Sequence, residues 1–125
     1  MRFAISPPLR LFLPMILYGY ALSSASYRVR IALALKGLQA TSMPVNLRAG
    51  EQRLEDFMQI NTQGFVPALV TDEGTVLTQS AAIIEYLDEI HPRPPLLPQA
   101  PAARASVRAL SLRADAKGER PASTA

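Results

Sequence analysis

The sequence predicts an α/β fold in which helices cover a four-stranded mixed sheet. Short apolar runs, beginning with MILYGY at 15–20, alternate with helical patterns along residues 15–91. Two of the later runs are joined by an Asp-Glu-Gly turn at 72–74, and 49% of the 125 residues are hydrophobic. Alternating strands and helices favour parallel pairing, whereas a tight turn joins antiparallel strands. We therefore expect both kinds of pairing in one sheet.

The first helix is predicted over 25–36 from its length and its alanine and leucine content, with Ser24 as its N-cap and Gly37 just beyond its end. One face of this helix is predicted to be buried, and it carries Val29, Ala32, Leu33 and Lys36. Ile31 and Leu35 flank that face and make the helix apolar on most sides. We therefore expect the sheet beneath it and another layer above it.

The segment from 41 to 78 is predicted to contain an edge strand, a weakly helical stretch and a hairpin. TSMPVNL at 41–47 reads as a strand at a sheet edge, because Pro44 cannot donate a ladder hydrogen bond. Residues 48–61 are polar with a weak helical pattern. The runs at 65–70 and 75–78 alternate in polarity on either side of the turn and predict a hairpin.

A last helix over 79–91 completes this part of the chain. Its apolar stripe consists of Ile83, Ile84, Leu87 and Ile90. The resulting order β-α-β-α-β-β-α, with a parallel unit followed by a hairpin, is that of the thioredoxin-like fold.

The chain divides into four parts by composition. Residues 1–14 are interpreted as an N-terminal extension and 15–91 as the thioredoxin-like domain. Five prolines make 92–101 a stiff linker. Residues 102–125 begin an all-α domain with a helical pattern to about 113, and then become polar and irregular.

Composition excludes several classes of function. The chain has no cysteine and a single histidine, which excludes a disulfide scaffold and a thiolate metal site and predicts no bound metal. Residues 1–101 hold eight basic and eight acidic side chains, so the net charge of +3 arises in 102–125 and gives little support for nucleic-acid binding. No run reaches the roughly 20 apolar residues that a membrane span needs. We expect a cytoplasmic protein.

Three blocks together carry a resemblance to a known family. They are SSASYRVRIALALKG at 23–37, NTQGFVPALV at 61–70 and TQSAAIIEYLDE at 78–89. In this order and spacing they resemble the N-terminal domain of glutathione transferases. The serine pair before YRVR resembles the corresponding serines of the zeta class, which includes maleylacetoacetate isomerases.

The resemblance implies that Ser23 holds the thiolate of glutathione and that Ser24 assists it or caps the helix. Lowering a thiol pKa from about 8.5 by two units takes about 2.7 kcal/mol. A hydroxyl hydrogen bond to a charged acceptor supplies about 1.5–3 kcal/mol, and a helix N-terminus adds about 0.3–2 kcal/mol. No cationic residue is needed. The alternative is that both serines are only N-cap residues.

The resemblance also implies a glutathione-binding set. In the family, the residue before a cis proline pairs through its backbone with the cysteinyl part of glutathione, which points to Val66 and Pro67. Gln79 and Ser80 correspond to the positions that bind the γ-glutamyl end, where a helix N-terminus favours an anion. Gln52 corresponds to a glutamine that contacts the glycyl end. Ser80 as a plain N-cap is compatible with the same geometry.

Two arginines lie close to the serine pair, and two residues beside that pair differ from the family pattern. Arg28 and Arg30 are interpreted as structural, solvated or paired with acids such as Glu85 or Asp88. Ala25 replaces a cysteine that often follows the serine pair, which the chemistry tolerates because glutathione brings the thiol. Leu22 replaces an arginine that often precedes the serines, which removes a cation near a carboxylate-rich substrate.

The implied function is glutathione-dependent isomerisation of maleylacetoacetate in aromatic amino-acid breakdown, by thiolate addition and elimination on a small electrophilic substrate. Complete family members carry a second helical domain, so 102–125 is interpreted as its remnant, left by a truncated gene or a shifted reading frame. A complete protein is expected to be a homodimer. The alternative is a non-catalytic thioredoxin-like module that binds glutathione or a partner protein.

Overall fold

A computed structural model describes residues 14–118 of the chain, so the N-terminal extension before Pro14 and the tail after Gly118 lie outside the described residues. Strands and helices follow one another in the predicted order. Their bounds are β1 Met15–Gly19, α1 Ser24–Lys36, β2 Ala40–Pro44, a 3₁₀ turn Glu51–Arg53, α2 Glu55–Ile60, β3 Ala68–Val70, β4 Val76–Thr78, α3 Ser80–Ile90 and α4 Pro101–Gly118. None of the helices in this part of the chain is both long and apolar enough to cross a membrane.

The predicted mixed sheet is confirmed, with the strand order β2-β1-β3-β4. β1 pairs with β2 in parallel and with β3 antiparallel, and β3 pairs antiparallel with β4. β2 lies at the edge, as the proline predicted, and ends at Pro44 opposite Gly19. The hairpin is also confirmed, because the Thr71 N–H donates to the Thr75 carbonyl at 2.8 Å across the turn.

Hydrophobic clusters lie on both faces of the sheet. Leu17 and Leu69 are partners in the β1–β3 register and point to the face that α1 and α3 cover. The buried members of this larger cluster are Leu17, Val29, Ala32, Leu33, Leu69, Ile83 and Leu87. Ala68 points the other way and packs with Val45 and Phe57 of α2. The sheet therefore has helices on both faces, as in the predicted thioredoxin-like arrangement.

The first helix begins one residue earlier than predicted, and its N-cap is Ser23 rather than Ser24. Ser23 has extended backbone angles, and its side chain accepts a hydrogen bond from the Ser26 N–H at 3.1 Å. Either serine fits the cap preference, so the pattern alone could not choose between them. The predicted end is confirmed, since Gly37 has a φ of 66° in the left-handed region that glycine favours.

The predicted buried face of α1 is confirmed, including its lysine. The opposite face is exposed: 57% of Tyr27, 41% of Ile31 and 57% of Leu35 is accessible to solvent. The expected layer above the helix is therefore not present within residues 14–118.

The last helix is longer than the sequence pattern predicted. α4 continues to Gly118 rather than ending near residue 113. Residues 113–117 are Arg, Ala, Asp, Ala and Lys, most of which have high helix propensity although they lack an apolar stripe. Because these residues show no apolar periodicity, the sequence pattern did not predict that the helix continues through them.

A buried ion pair links α1 to α3. The Lys36 Nζ lies 2.5 Å from the Asp88 Oδ1, and the two side chains are 0% and 13% exposed. Burial opposes ionisation of Asp88, but the hydrogen bonds that it accepts from Lys36 and from the Leu96 N–H outweigh burial and hold its pKa below the usual value.

This lowered pKa predicts a loss of stability in acid. The folded state binds the Asp88 proton less tightly than the unfolded chain, whose aspartates titrate near pH 3.9. The stabilisation is therefore fully present above about pH 4 and is lost as pH falls through the lower, folded pKa. We expect Asp88→Asn to reduce the slope of stability against pH below about pH 4, measured by urea unfolding. Equal slopes in both proteins would contradict the assignment.

Candidate functional site

A cleft of about 620 Å³ opens where the β1–α1 loop, the segment before β3 and the start of α3 meet. Six of the seven predicted site residues line it: Ser23, Ser24, Val66, Pro67, Gln79 and Ser80. A second, mainly apolar cleft of about 470 Å³ lies between α3 and α4 and shares Arg28, Ser80 and Asp115 with the first. The predicted serines, proline segment and helix start thus come together in one place.

The Ser23 hydroxyl is fixed by the start of α1. Its oxygen accepts from the Ser26 N–H at 3.1 Å, and the Ser23 N–H donates to the Tyr20 carbonyl at 3.0 Å. Ser26 is fully buried, and its own oxygen accepts from the Tyr20 N–H at 3.2 Å. A Cβ at Gly19 would lie 3.2 Å from the Ser26 side chain, so glycine lets the loop pack this closely. No acceptor for the Ser23 hydroxyl proton is found among residues 14–118, so this proton can be donated into the cleft.

Ser24 is the first residue of α1 and borders the cleft with an exposed side chain. Its side chain takes no part in the hydrogen bonds found among the described residues. Ser24 is therefore free to assist a ligand but does not cap the helix.

The segment before β3 offers an open stretch of backbone. The Val66–Pro67 bond is cis, as the resemblance implied, and Pro67 is buried. In the described part of the chain, the Val66 N–H and C=O make none of the hydrogen bonds found outside the helices and strands. An extended ligand can therefore pair with this backbone.

Asn61 holds the segment in place, and sequence reasoning missed it. Its side chain is buried at 5% exposure. The Nδ2 donates to the Phe65 carbonyl at 2.9 Å, and the Oδ1 accepts from the Gln63 N–H at 3.1 Å. An asparagine at a helix end before Thr-Gln-Gly was the available signal, since asparagine side chains bond the backbone two residues ahead.

The start of α3 combines an unusual backbone with a buried hydroxyl. Gln79 has a φ of 71° and a ψ of 118°, a region that non-glycine residues rarely occupy. Its Nε2 donates to the Gln63 Oε1 at 3.4 Å on the exposed rim. Ser80 is the first helical residue and is 5% exposed, but it is not the N-cap, which is Gln79.

Arg28 is a second cleft residue whose role the sequence did not reveal. Its Nη2 donates to the Ser80 Oγ at 3.1 Å and also pairs with the Asp115 carboxylate of α4. Arg28 is therefore paired with an acid, one of the alternatives that the sequence left open, but its partner is not Glu85 or Asp88. Those acids are bound by two other cations, Arg108 at 2.9 Å and Lys36.

The partner of Arg28 was not predicted because it lies on α4. This helix brings Asp115 to the cleft, whereas the sequence pattern predicted that it ends before that residue. Arg30 is exposed and lies 5.4 Å above the Tyr27 ring, which fits the structural role predicted for it.

Gln52 is the one predicted site residue that does not line the cleft. It lies in the 3₁₀ turn Glu51–Arg53, and its backbone oxygen would be 3.3 Å from a Cβ at Gly64. Its Oε1 is buried and has no hydrogen-bond partner among residues 14–118. A buried acceptor without a donor is destabilising.

The cleft has a positive potential from its backbone. The N-termini of α1 and α3 both open onto it and present unpaired N–H groups. Arg28 and Asp115 are the charged side chains among its lining residues in the described part of the chain, and they pair with each other. The site therefore suits a ligand with two separated negative groups.

Comparison with known proteins gives consistent matches. Maleylacetoacetate isomerase of Pseudomonas aeruginosa is 55% identical over 97 residues, which cover 76% of this chain and 46% of that protein. Glutathione S-transferase Z1 of Arabidopsis thaliana is 58% identical over 83 residues, 66% of this chain and 37% of that protein. The crystal structure of maleylacetoacetate isomerase from Methylobacterium extorquens AM1, with bound malonate and GSH, is 49% identical with a TM-score of 0.75 and covers 77% of this chain and 45% of that one.

The chain spans less than half the length of these relatives. Residues 22–90 match the family model of the glutathione S-transferase N-terminal domain. That range contains all seven predicted site residues and ends with α3. The zeta-class enzyme of Euphorbia esula is also among its relatives, at 54% identity over 82 residues. The chain therefore belongs to the glutathione S-transferase family.

Proposed function

We propose that the cleft binds glutathione and that the complete protein is a glutathione-dependent maleylacetoacetate isomerase. The observation that carries the proposal is the convergence of two helix N-termini and an open backbone segment on one cleft. The relatives named maleylacetoacetate isomerase support it. When bound, glutathione supplies the nucleophilic thiolate for cis–trans isomerisation by addition and elimination.

The residues present fit this ligand. Glutathione has a thiol near its middle and a carboxylate at each end. The Ser23 hydroxyl, which is held by the helix cap, donates to the thiolate, and Ser24 assists it. The Ser23 oxygen accepts from the Ser26 N–H, and its hydroxyl proton remains available for donation to the ligand.

The backbone of Val66 pairs with the cysteinyl peptide unit, and Pro67 shapes the segment that presents it. Gln79 and Ser80 hold the γ-glutamyl end at the N-terminus of α3, where free N–H groups favour a carboxylate. Arg28 fixes the Ser80 hydroxyl and places a guanidinium behind it. Gln52 is assigned to the glycyl end on the family resemblance alone, because it does not line the cleft.

The protein lowers the thiol pKa without a base. A hydroxyl donor to the charged sulfur and a helix N-terminus together supply about 2–5 kcal/mol, which covers the roughly 2.7 kcal/mol needed for a shift of two units. The remaining task is to orient the thiolate against the small electrophile. This proposal includes action in the cytoplasm, in aromatic amino-acid breakdown, and a homodimer for the complete protein.

Titration calorimetry with glutathione and with cysteinylglycine, which lacks the γ-glutamyl group, tests the binding. We expect glutathione to bind, and cysteinylglycine to bind more weakly because it cannot occupy the start of α3. Isomerisation of maleylacetoacetate that depends on glutathione would establish the enzyme. Binding without any isomerisation would favour the non-catalytic module, and equal affinity for both ligands would contradict the assigned roles of Gln79 and Ser80.

The backbone conformation of Gln79 predicts that a glycine at this position stabilises the fold but weakens glutathione binding. A non-glycine residue at such angles costs about 1–3 kcal/mol, and glycine itself loses about 0.5–1 kcal/mol in backbone entropy. We expect Gln79→Gly to increase the free energy of unfolding by about 1 kcal/mol and to weaken glutathione binding. Urea unfolding and calorimetry measure the two effects.

Gln79→Ala is the matched control, because it removes the amide but keeps the backbone strain. It is expected to weaken binding to the same degree and to change stability by less than about 0.5 kcal/mol. If the glycine variant is no more stable than the alanine variant, Gln79 is not strained.

A further inference from the structure

Lys36 is a buried charged residue that the proposed chemistry does not use. Its side chain is 0% exposed. An ammonium group has three N–H donors. All three have acceptors here, the Asp88 Oδ1 at 2.5 Å, the His91 carbonyl at 2.6 Å and the Pro94 carbonyl at 2.5 Å. We call this group of four residues the Lys36 clasp. Burying an ammonium is costly unless every donor is satisfied, and the clasp satisfies each of them.

The acceptors of the clasp belong to the end of α3 and to the linker. His91 is the C-cap of α3, whose last turn contains no basic residue, so Lys36 of α1 supplies the cation that a helix C-terminus favours. Asp88 accepts a second hydrogen bond from the Leu96 N–H at 2.9 Å, and Leu96 packs against the larger hydrophobic cluster. The linker is thus tied at His91, Pro94 and Leu96.

Beyond the linker, few strong contacts hold α4 within the part of it whose side chains are described, residues 101–115. Its ion pair from Arg108 to Glu85 is 45% and 38% exposed, and a solvent-exposed pair of this kind contributes little to stability. Leu110 and Leu112 are 63% and 64% exposed. Among the described side chains of α4, its polar contact to α1 is that of Asp115 with Arg28 at the cleft. The direction in which the linker leaves α3 therefore decides where α4 lies.

We propose that Lys36 is a positioning residue that fixes the linker segment 91–96 to α1 and α3 and thereby directs α4 to the cleft. The clasp lies at the C-terminus of α1, and Ser23 lies at its N-terminus, so one rigid helix connects the linker to the cleft. The proposal does not rest on the binding of glutathione, because all the groups involved belong to the chain itself.

Amide hydrogen exchange and a spin label on α4 test this in the full chain. Because the chain contains no cysteine, Ala105→Cys on the exposed side of α4 gives a single labelling site. In Lys36→Met, we expect the Leu96 amide to exchange about tenfold faster or more, since the loss of a charge-assisted hydrogen bond is worth that much. We also expect weaker paramagnetic broadening of α3 amides by the label. Exchange at Leu69, in the middle of the sheet, should accelerate less than exchange at Leu96, because it reports only the change in global stability.

Two further variants keep the test decisive. Lys36→Arg retains the charge but cannot direct three donors from one atom, so it should loosen Leu96 even if the methionine variant fails to fold. Arg108→Gln, which removes only the exposed pair, should leave Leu96 exchange as in the wild type. The proposal is overturned if Leu96 exchange and the broadening of α3 are unchanged in folded Lys36 variants. It is also overturned if Leu69 and Leu96 accelerate equally, because Lys36 would then be only a core residue.

Discussion

Replacement of Ser23 by alanine is expected to raise the pKa of the bound glutathione thiol by about 1 to 2 units, since a hydrogen bond to a charged group contributes about 1.5–3 kcal/mol and each unit corresponds to about 1.4 kcal/mol. The hydroxyl is free to donate because its oxygen is held by the Ser26 N–H. The thiolate absorbs in the ultraviolet, and its titration carries no background from protein thiols because the chain has no cysteine.

Ser23 also caps α1, and a second substitution separates the two roles. Loss of the cap to alanine costs about 1 kcal/mol of stability, whereas glycine costs only a few tenths. Ser23→Gly should therefore raise the thiol pKa as much as Ser23→Ala while remaining more stable. If the glycine variant keeps the wild-type thiol pKa, Ser23 is only a cap. Ser24→Ala, whose side chain has no bond among the described residues, is the control for a neighbouring hydroxyl and should have a smaller effect.

Truncation of Leu87 to alanine is expected to lower the free energy of unfolding by about 2–5 kcal/mol, the range for large buried aliphatic side chains. Leu87 is 0% exposed and packs in the cluster between the sheet and α1. Ile90 is the matched control, because it lies on the same predicted stripe of α3 but is 43% exposed. Ile90→Ala should cost less than about 1 kcal/mol, since alanine also favours the helix.

Urea unfolding monitored by circular dichroism measures both variants. Similar losses for Leu87→Ala and Ile90→Ala would contradict the packing described for α3. A large loss for Leu87 with little change in glutathione affinity is expected, because Leu87 does not line the cleft.

The strands and the first and last helices of the thioredoxin-like part could be predicted from the sequence because each has a local signal. The apolar run of β1, the proline of β2 and the turn between β3 and β4 each follow from short-range chemistry. The helix stripe was predicted less well, since Ile83 and Leu87 are buried but Ile90 is exposed. Periodicity gives the direction of a face but not how far the core extends along it.

The site residues at the helix starts and in the Val66–Pro67 segment could be predicted, because each belongs to a local sequence motif. Site residues that act through contacts between distant parts of the chain were missed. Arg28 bonds Ser80, which is 52 positions away, and no local pattern encodes that distance. Asn61 acts on its own loop, but its signal is that of an ordinary turn. The Lys36 clasp could not be predicted either. The sequence pattern assigned Lys36 to the buried face of α1 but did not indicate its three hydrogen-bond acceptors.

Chemical-shift mapping of glutathione on the wild-type chain tests the central claim most directly. The account predicts saturable shifts at the amides of Ser24 and Ala25 at the start of α1, at Val66, and at Ser80 and Ala81 at the start of α3. Leu110 and Leu112, along the second cleft, should not shift. Absence of saturation, or shifts confined to the cleft between α3 and α4, would contradict the assignment of the glutathione site.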